Sequence, residues 1–122
     1  MDSNFTDDEL LYRAVYPPEH SKMFWKDDGH VSSAAFLDKN GLSVERGDFR
    51  ATEDVVSEMK KSFIGHIISV SVKLCREVNA NVLYKPTKRS IYHTEIHGSP
   101  KLPLLSPSQR RYLSLHCDVV AK

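Results

Sequence analysis

Apolar and polar residues alternate from Ile68 to Leu74, with Ile68, Val70, Val72 and Leu74 set against Ser69, Ser71 and Lys73. This period of two predicts a strand over 68–74 with one buried face. The residues before it follow a different period. Thr52-Glu53-Asp54 leads into Val55, Val56, Met59 and Phe63, the spacing of an amphipathic helix over 53–63. Acidic residues occupy its first turn, Lys60 and Lys61 its last, and Gly65 supplies a stop. A second helix is predicted over 107–117. Ser106-Pro107-Ser108-Gln109 provides an N-cap, a proline at the first helical position and a capping-box glutamine, and Leu113 and Cys117 form the apolar seam. Between the two helices, residues 81–85 read as a further strand, ended by Pro86.

The N-terminal half has weaker periodicity. Thr6-Asp7-Asp8-Glu9 fits a capping box, which predicts a turn of helix; Pro17-Pro18 prevents it from running far. Residues 10–16 are strand material, with Leu11, Arg13 and Val15 alternating against Tyr12, Ala14 and Tyr16. Residues 19–30 form a polar run anchored by Met23, Phe24 and Trp25 and closed by an Asp27-Asp28-Gly29 turn. Residues 31–37 and 42–46 read as two extended pieces joined through Asn40-Gly41, a strong hairpin signal because both residues tolerate positive φ. Together the elements predict an α+β fold, residues 1–122 forming one domain. Its core would be a mostly antiparallel, twisted sheet of about four to six strands with two main helices packed on one face.

Composition narrows the class without changing that picture. The chain of 122 residues has room for one hydrophobic core, and its 40% apolar and 27% charged residues are ordinary for a globular domain. No apolar run approaches the roughly 18 residues of a membrane span. The start, Met1-Asp2-Ser3-Asn4, lacks the basic and apolar regions of a secretory signal, so a cytoplasmic protein with no membrane partner is expected. A net charge of +1 argues against nucleic acid as a partner, although Lys85, Lys88, Arg89, Arg110 and Arg111 make local basic clusters. Cys75 and Cys117 have neither C-x-x-C spacing nor a secretory context and read as reduced core thiols.

The groups able to do chemistry concentrate in Tyr92-His93-Thr94-Glu95-Ile96-His97-Gly98. Read as a strand, this stretch places His93, Glu95 and His97 on one face. Such a row could transfer protons, since histidine titrates near neutrality, or could be a solvated face whose glutamate pairs with a cation across a strand. As metal ligands the three would need a fourth, distant partner, and no metal or cofactor is expected. The P-C-x-x-C that accompanies H-x-E in zinc deaminases is absent, as are the P-loop, G-x-G-x-x-G and G-x-S-x-G signatures. Arg13, inside an apolar stretch, would need a carboxylate or a ligand phosphate if buried, and would be a snorkelling surface residue if exposed. Ser32 and Ser33 offer paired hydroxyls for a ligand or for their own backbone.

The blocks Leu11-Tyr12-Arg13-Ala14-Val15, Ser32-Ser33-Ala34-Ala35-Phe36, Leu42-Ser43-Val44-Glu45-Arg46 and Tyr92 to Gly98 resemble those of a group of small bacterial proteins. That resemblance spans most of the chain and implies bacterial origin, with no activity attached. The order of Arg13, the serine pair and Glu95 is also similar to that of ADP-ribosyltransferase folds. This chain departs from them in its shortness, its early serine block and the lack of a second acidic residue two positions from Glu95. The functional expectation is a site for a phosphate-bearing or nucleotide-like small molecule on the open sheet face. Arg13, Ser32 and Ser33 would bind it, and His93, Glu95 and His97 would act as catalytic groups. The alternative is a non-catalytic protein partner, such as an immunity or accessory factor of a bacterial toxin or defence effector.

Overall fold

A computed structural model describes residues 2–122. Six strands form one sheet: β1 (Leu10–Val15), β2 (Leu42–Arg46), β3 (His66–Ser71), β4 (Asn81–Tyr84), β5 (His93–His97) and β6 (Asp118–Ala121). Their order across the sheet is β4-β5-β2-β1-β3-β6, and every neighbouring pair is antiparallel. Three helices complete the α+β architecture: α1 (Thr52–Lys60), α2 (Val72–Glu77) and α3 (Pro107–His116). Two 3-10 turns, Lys22–Phe24 and Ser33–Phe36, lie in the long β1–β2 connection.

The central strands are buried on both sides, which explains why β3 reads as a continuous buried run at Ile67, Ile68, Ser69 and Val70. Leu11, Val15, Val44, Ile68 and Val70 turn to one face and join Phe36, Leu113 and Cys117 in the larger core cluster. Tyr12 and Ile67 turn to the other face and meet Val55 and Met59 of α1. The helices therefore do not share a face: α3 covers one side and α1 the other. Alternation along β1 requires this, because both of its faces carry large apolar side chains. The side holding α3 is called the closed face below, and the side holding α1 the open face, because α1 reaches only part of the sheet there.

Several local signals resolve differently from expectation. The strand over 68–74 stops at Ser71, whose hydroxyl accepts from Leu74 N at 3.1 Å and caps α2, so Val72 and Cys75 become a buried helical pair at i, i+3. Asn40-Gly41 does make a turn, with Gly41 at φ +100°, yet it joins the Ser33–Phe36 turn to β2 and closes no hairpin. The capping box at Thr6 does not form. Glu9 turns inward and takes both carboxylate oxygens to Arg46, at 2.7 and 2.8 Å. Asp118–Ala121, too short to show a period, pairs with β3 as an edge strand. The capping box of α3 forms as read: Ser106 Oγ accepts from Gln109 N at 3.1 Å, and Gln109 Oε1 accepts from Ser106 N at 2.8 Å. Gln109 Nε2 also donates to the carbonyls of Val78 and Gly98, tying α3 to the end of α2 and the end of β5.

Candidate functional site

The register of the sheet decides which polar groups meet. Tyr12 pairs with Glu45 and Glu45 with His93, while Ser43 pairs with Glu95. Tyr12, Ala14, Ser43, Glu45, His93, Glu95 and His97 therefore project on the open face. α1 covers this face over β1, β3 and β6, so β2 and β5 are left bare beside it. The β4–β5 hairpin then arches over from the far edge. Its tip is held by its own hydrogen bonds, Thr87 N to Ser90 O at 2.9 Å and Ser90 N to Thr87 Oγ1 at 3.1 Å. Between the tip and α1 lies a cavity of about 610 Å³.

Ser43, Glu45 and His93 form the floor of the cavity, with Tyr12 and Ala14 beside them. Met59 of α1 and Phe63 just after it supply an apolar wall, and Lys88 and Arg89 stand at the opposite rim. Both cations are exposed, and neither has an acidic partner among the described residues. A second compartment of about 560 Å³ shares Glu45, Met59, Phe63, Lys88 and Arg89 with the first and extends past Arg50 and Tyr92. Arg50 is already engaged there: it donates to the carbonyls of Gly47 and Arg46 and lies over the Tyr92 ring at 3.4 Å.

Glu45 is the unusual group. Its Oε2 is buried and finds no hydrogen-bond donor among the described residues. An acceptor left unpaired in a low-dielectric setting is costly, and a bound donor would relieve it. His93, directly across from Glu45, is held through both ring nitrogens. Nδ1 lies 2.9 Å from the carbonyl of Lys85, and Nε2 lies 3.3 Å from Ser43 Oγ.

The other expected site residues divide into two groups. Glu95 and His97 share the open face with His93 but do not line the cavity. His97 Nε2 lies 2.8 Å from Glu95 Oε1, and Lys85 Nζ lies 3.8 Å from the same oxygen. Gly41 closes over this pair so tightly that a Cβ there would sit 2.6 Å from His97 Nε2. Among the described residues there is no cluster of three or more His, Cys, Asp or Glu side chains arranged to hold a metal ion.

The Arg13 side chain and the serine pair point elsewhere. Arg13 shares the parity of Leu11 and Val15, so its side chain enters the closed face, where Nε donates to the carbonyl of Ala35 and Nη1 to that of Ser43, each at 2.9 Å. Burial pulls its guanidinium below the ordinary arginine range, opposed by the nearby Asp38. With two carbonyl acceptors, Arg13 clips the Ser33–Phe36 turn to β2. Ser32 Oγ donates to Met23 O at 2.6 Å, and Ser33 is exposed at the start of the turn. The sheet separates the two serines and the Arg13 guanidinium from His93, although Arg13, between Tyr12 and Ala14 on β1, still contributes to the cavity lining.

The cavity instead recruits Ser43, Glu45, Lys88 and Arg89. Their signal was the alternation of β2, where Leu42 and Val44 are apolar while Ser43 and Glu45 are polar, together with the basic turn after Pro86. No family model, curated protein or solved structure matches this chain. No helix among the described residues is long and apolar enough to cross a membrane.

Proposed function

We propose that the open-face cavity binds a phosphate-bearing, nucleotide-like small molecule. The observation that carries this reading is the buried, donor-less oxygen of Glu45 on a cavity floor whose rim holds two unpaired cations. The three features ask for different parts of one ligand. Glu45 calls for an N–H or O–H donor, such as the edge of a heterocyclic base. Met59 and Phe63 accept the ring face, and Lys88 and Arg89 accept a phosphate. A volume of about 610 Å³ is within the usual range of roughly 300–1,000 Å³ for small-ligand pockets. His93 stands at the same floor as a proton-transfer group.

The test is a melting-temperature panel of ATP, AMP and inorganic pyrophosphate at millimolar concentration. A ligand at ten times its Kd stabilises the folded state by about 1.4 kcal/mol. For a domain of this size that corresponds to a rise of about 3–8 °C. The rise should disappear in the double variant Lys88→Glu, Arg89→Glu and in Glu45→Leu. Absence of any shift in the wild-type protein rejects the phosphate ligand.

One observation favours a second reading, a protein partner of the immunity or accessory kind. Phe63 and Ile91, at the cavity walls, are 45% and 59% exposed, and Ile64 beside Phe63 is 70% exposed. A partner covering this rim would make Phe63→Asp and Ile91→Asp lose complex formation while Lys88→Glu retained it.

A further inference from the structure

We propose that Ser43 is a nucleophile activated by His93, and that it takes a phosphoryl group from the molecule held in the cavity; this rests on the phosphate-binding reading above. The geometry supplies each requirement in turn. The Lys85 carbonyl can only accept a hydrogen bond, so the His93 Nδ1 that faces it at 2.9 Å carries the ring proton. In the neutral imidazole Nε2 is then the bare nitrogen, and it faces Ser43 Oγ at 3.3 Å. A hydroxyl beside an oriented, unprotonated imidazole nitrogen is the arrangement that activates a weak nucleophile.

The ring is fixed by the hairpin itself. Lys85 N donates back to His93 O at 3.0 Å, just past the last β4–β5 pair of Tyr84 with Thr94, so the residue that sets the tautomer is also bonded to the His93 backbone. Glu45 sits directly across β2–β5 from His93 and projects on the same face of the sheet. Ser43 is exposed at the cavity floor, whereas the neighbouring Glu95–His97 pair is shut beneath Gly41. Lys88 and Arg89 stand where they can neutralise the oxygens of a transferring phosphoryl group.

In the step itself, Ser43 Oγ bonds to phosphorus as the bond from phosphorus to the ester oxygen breaks. The Ser43 proton passes to His93 Nε2 and from there to the departing oxygen, releasing an alcohol. Water then attacks the phosphoserine, giving its proton to Nε2. The serine oxygen leaves, takes that proton back, and inorganic phosphate is released. One phosphate ester and one water become one alcohol and one phosphate.

The test uses a fluorophosphonate probe, whose fluoride is displaced by an activated serine, read by intact mass and peptide mapping. A single adduct at Ser43 is expected, absent from Ser43→Ala and slowed about 100-fold or more in His93→Gln. Each variant should keep its fold, read by its melting temperature without ligand. No adduct on wild-type protein that ATP still stabilises overturns the nucleophile and leaves the binding reading intact. An adduct at Ser43 on protein that no phosphate compound stabilises supports the activated serine and removes the phosphoryl substrate. Labelling at another residue, or undiminished labelling in His93→Gln, overturns the assignment.

Discussion

The two faces of the sheet handle buried charge in opposite ways. On the closed face Arg46 is 1% exposed, yet every part of its guanidinium is satisfied. It makes a two-pronged pair with Glu9, donates to the carbonyls of Asp2 and Asn4, and is flanked by the rings of Phe5 at 4.1 Å and Tyr84 at 5.1 Å. Hydrogen bonding to Glu9 accordingly holds the Arg46 pKa above its ordinary value. Arg13 on the same face is likewise satisfied by two carbonyls. One position from Arg46 in sequence, and on the other face, Glu45 has a buried oxygen with no donor among the described residues. The closed face pairs both of these guanidiniums from within, although His66 Nδ1, opposite Val15 on that face, also finds no partner among the described residues. On the proposed reading the open face is completed by its ligand, and stability and function should therefore separate between adjacent residues.

The largest effect should come from the closed face. Arg46→Ala strands the Glu9 carboxylate in the core, which costs about 3–5 kcal/mol, the usual penalty for breaking one half of a buried pair. Denaturant unfolding measures it, and a loss below about 1 kcal/mol would mean that the pair is a bystander. Glu9→Gln should recover part of this loss if introduced together with Arg46→Met, since removing both charges leaves no uncompensated ion.

An intermediate effect is expected from the two thiols in the closed-face core. Burial pushes the pKa of both Cys75 and Cys117 up to about 12, from 9.0. The folded state thus keeps both protons where the unfolded chain has lost them. Their contribution is whole below pH 9 and declines as pH rises from 9 towards 12. At pH 10 the decline is on the order of 1 kcal/mol for each thiol. Melting curves between pH 7 and pH 10 should show it, and Cys75→Ala should flatten the curve. A thiol reagent that modified either cysteine of the native protein at pH 8 would contradict their burial.

The smallest stability effect belongs to the open face. Glu45→Leu removes an unpaired acceptor, so the protein should be between unchanged and about 1 kcal/mol more stable, while ligand-dependent stabilisation is lost. A marked destabilisation would show that Glu45 supports the fold, and the contrast between the faces would fail.

How much of this was legible depended on how local each signal is. The α3 capping box is carried by four consecutive residues, and the strand at His93–His97 by a period of two, so both emerge from the sequence alone. Ser71 was misread because a strand that ends in an N-cap looks like continued alternation through Val72 and Leu74 until the backbone turns. The site was only partly legible. Parity within one strand correctly puts His93, Glu95 and His97 together, but which face Arg13 shares with them depends on the register of β1 against β2 and of β2 against β5. Short blocks do not encode that register. Ser43 and Glu45 looked like the ordinary wet side of a strand. Their difference arises only because α1 stops short of β2 and the Lys88-Arg89 turn closes over the gap.

Amide chemical-shift mapping with ATP tests this division most directly. The account predicts that Ser43, Glu45, Lys88, Arg89, Ser90 and His93 shift together on titration while Ser32 and Ser33 stay in place. Shifts that gather at Ser32 and Ser33, or a spectrum that does not move at millimolar ATP, would contradict it.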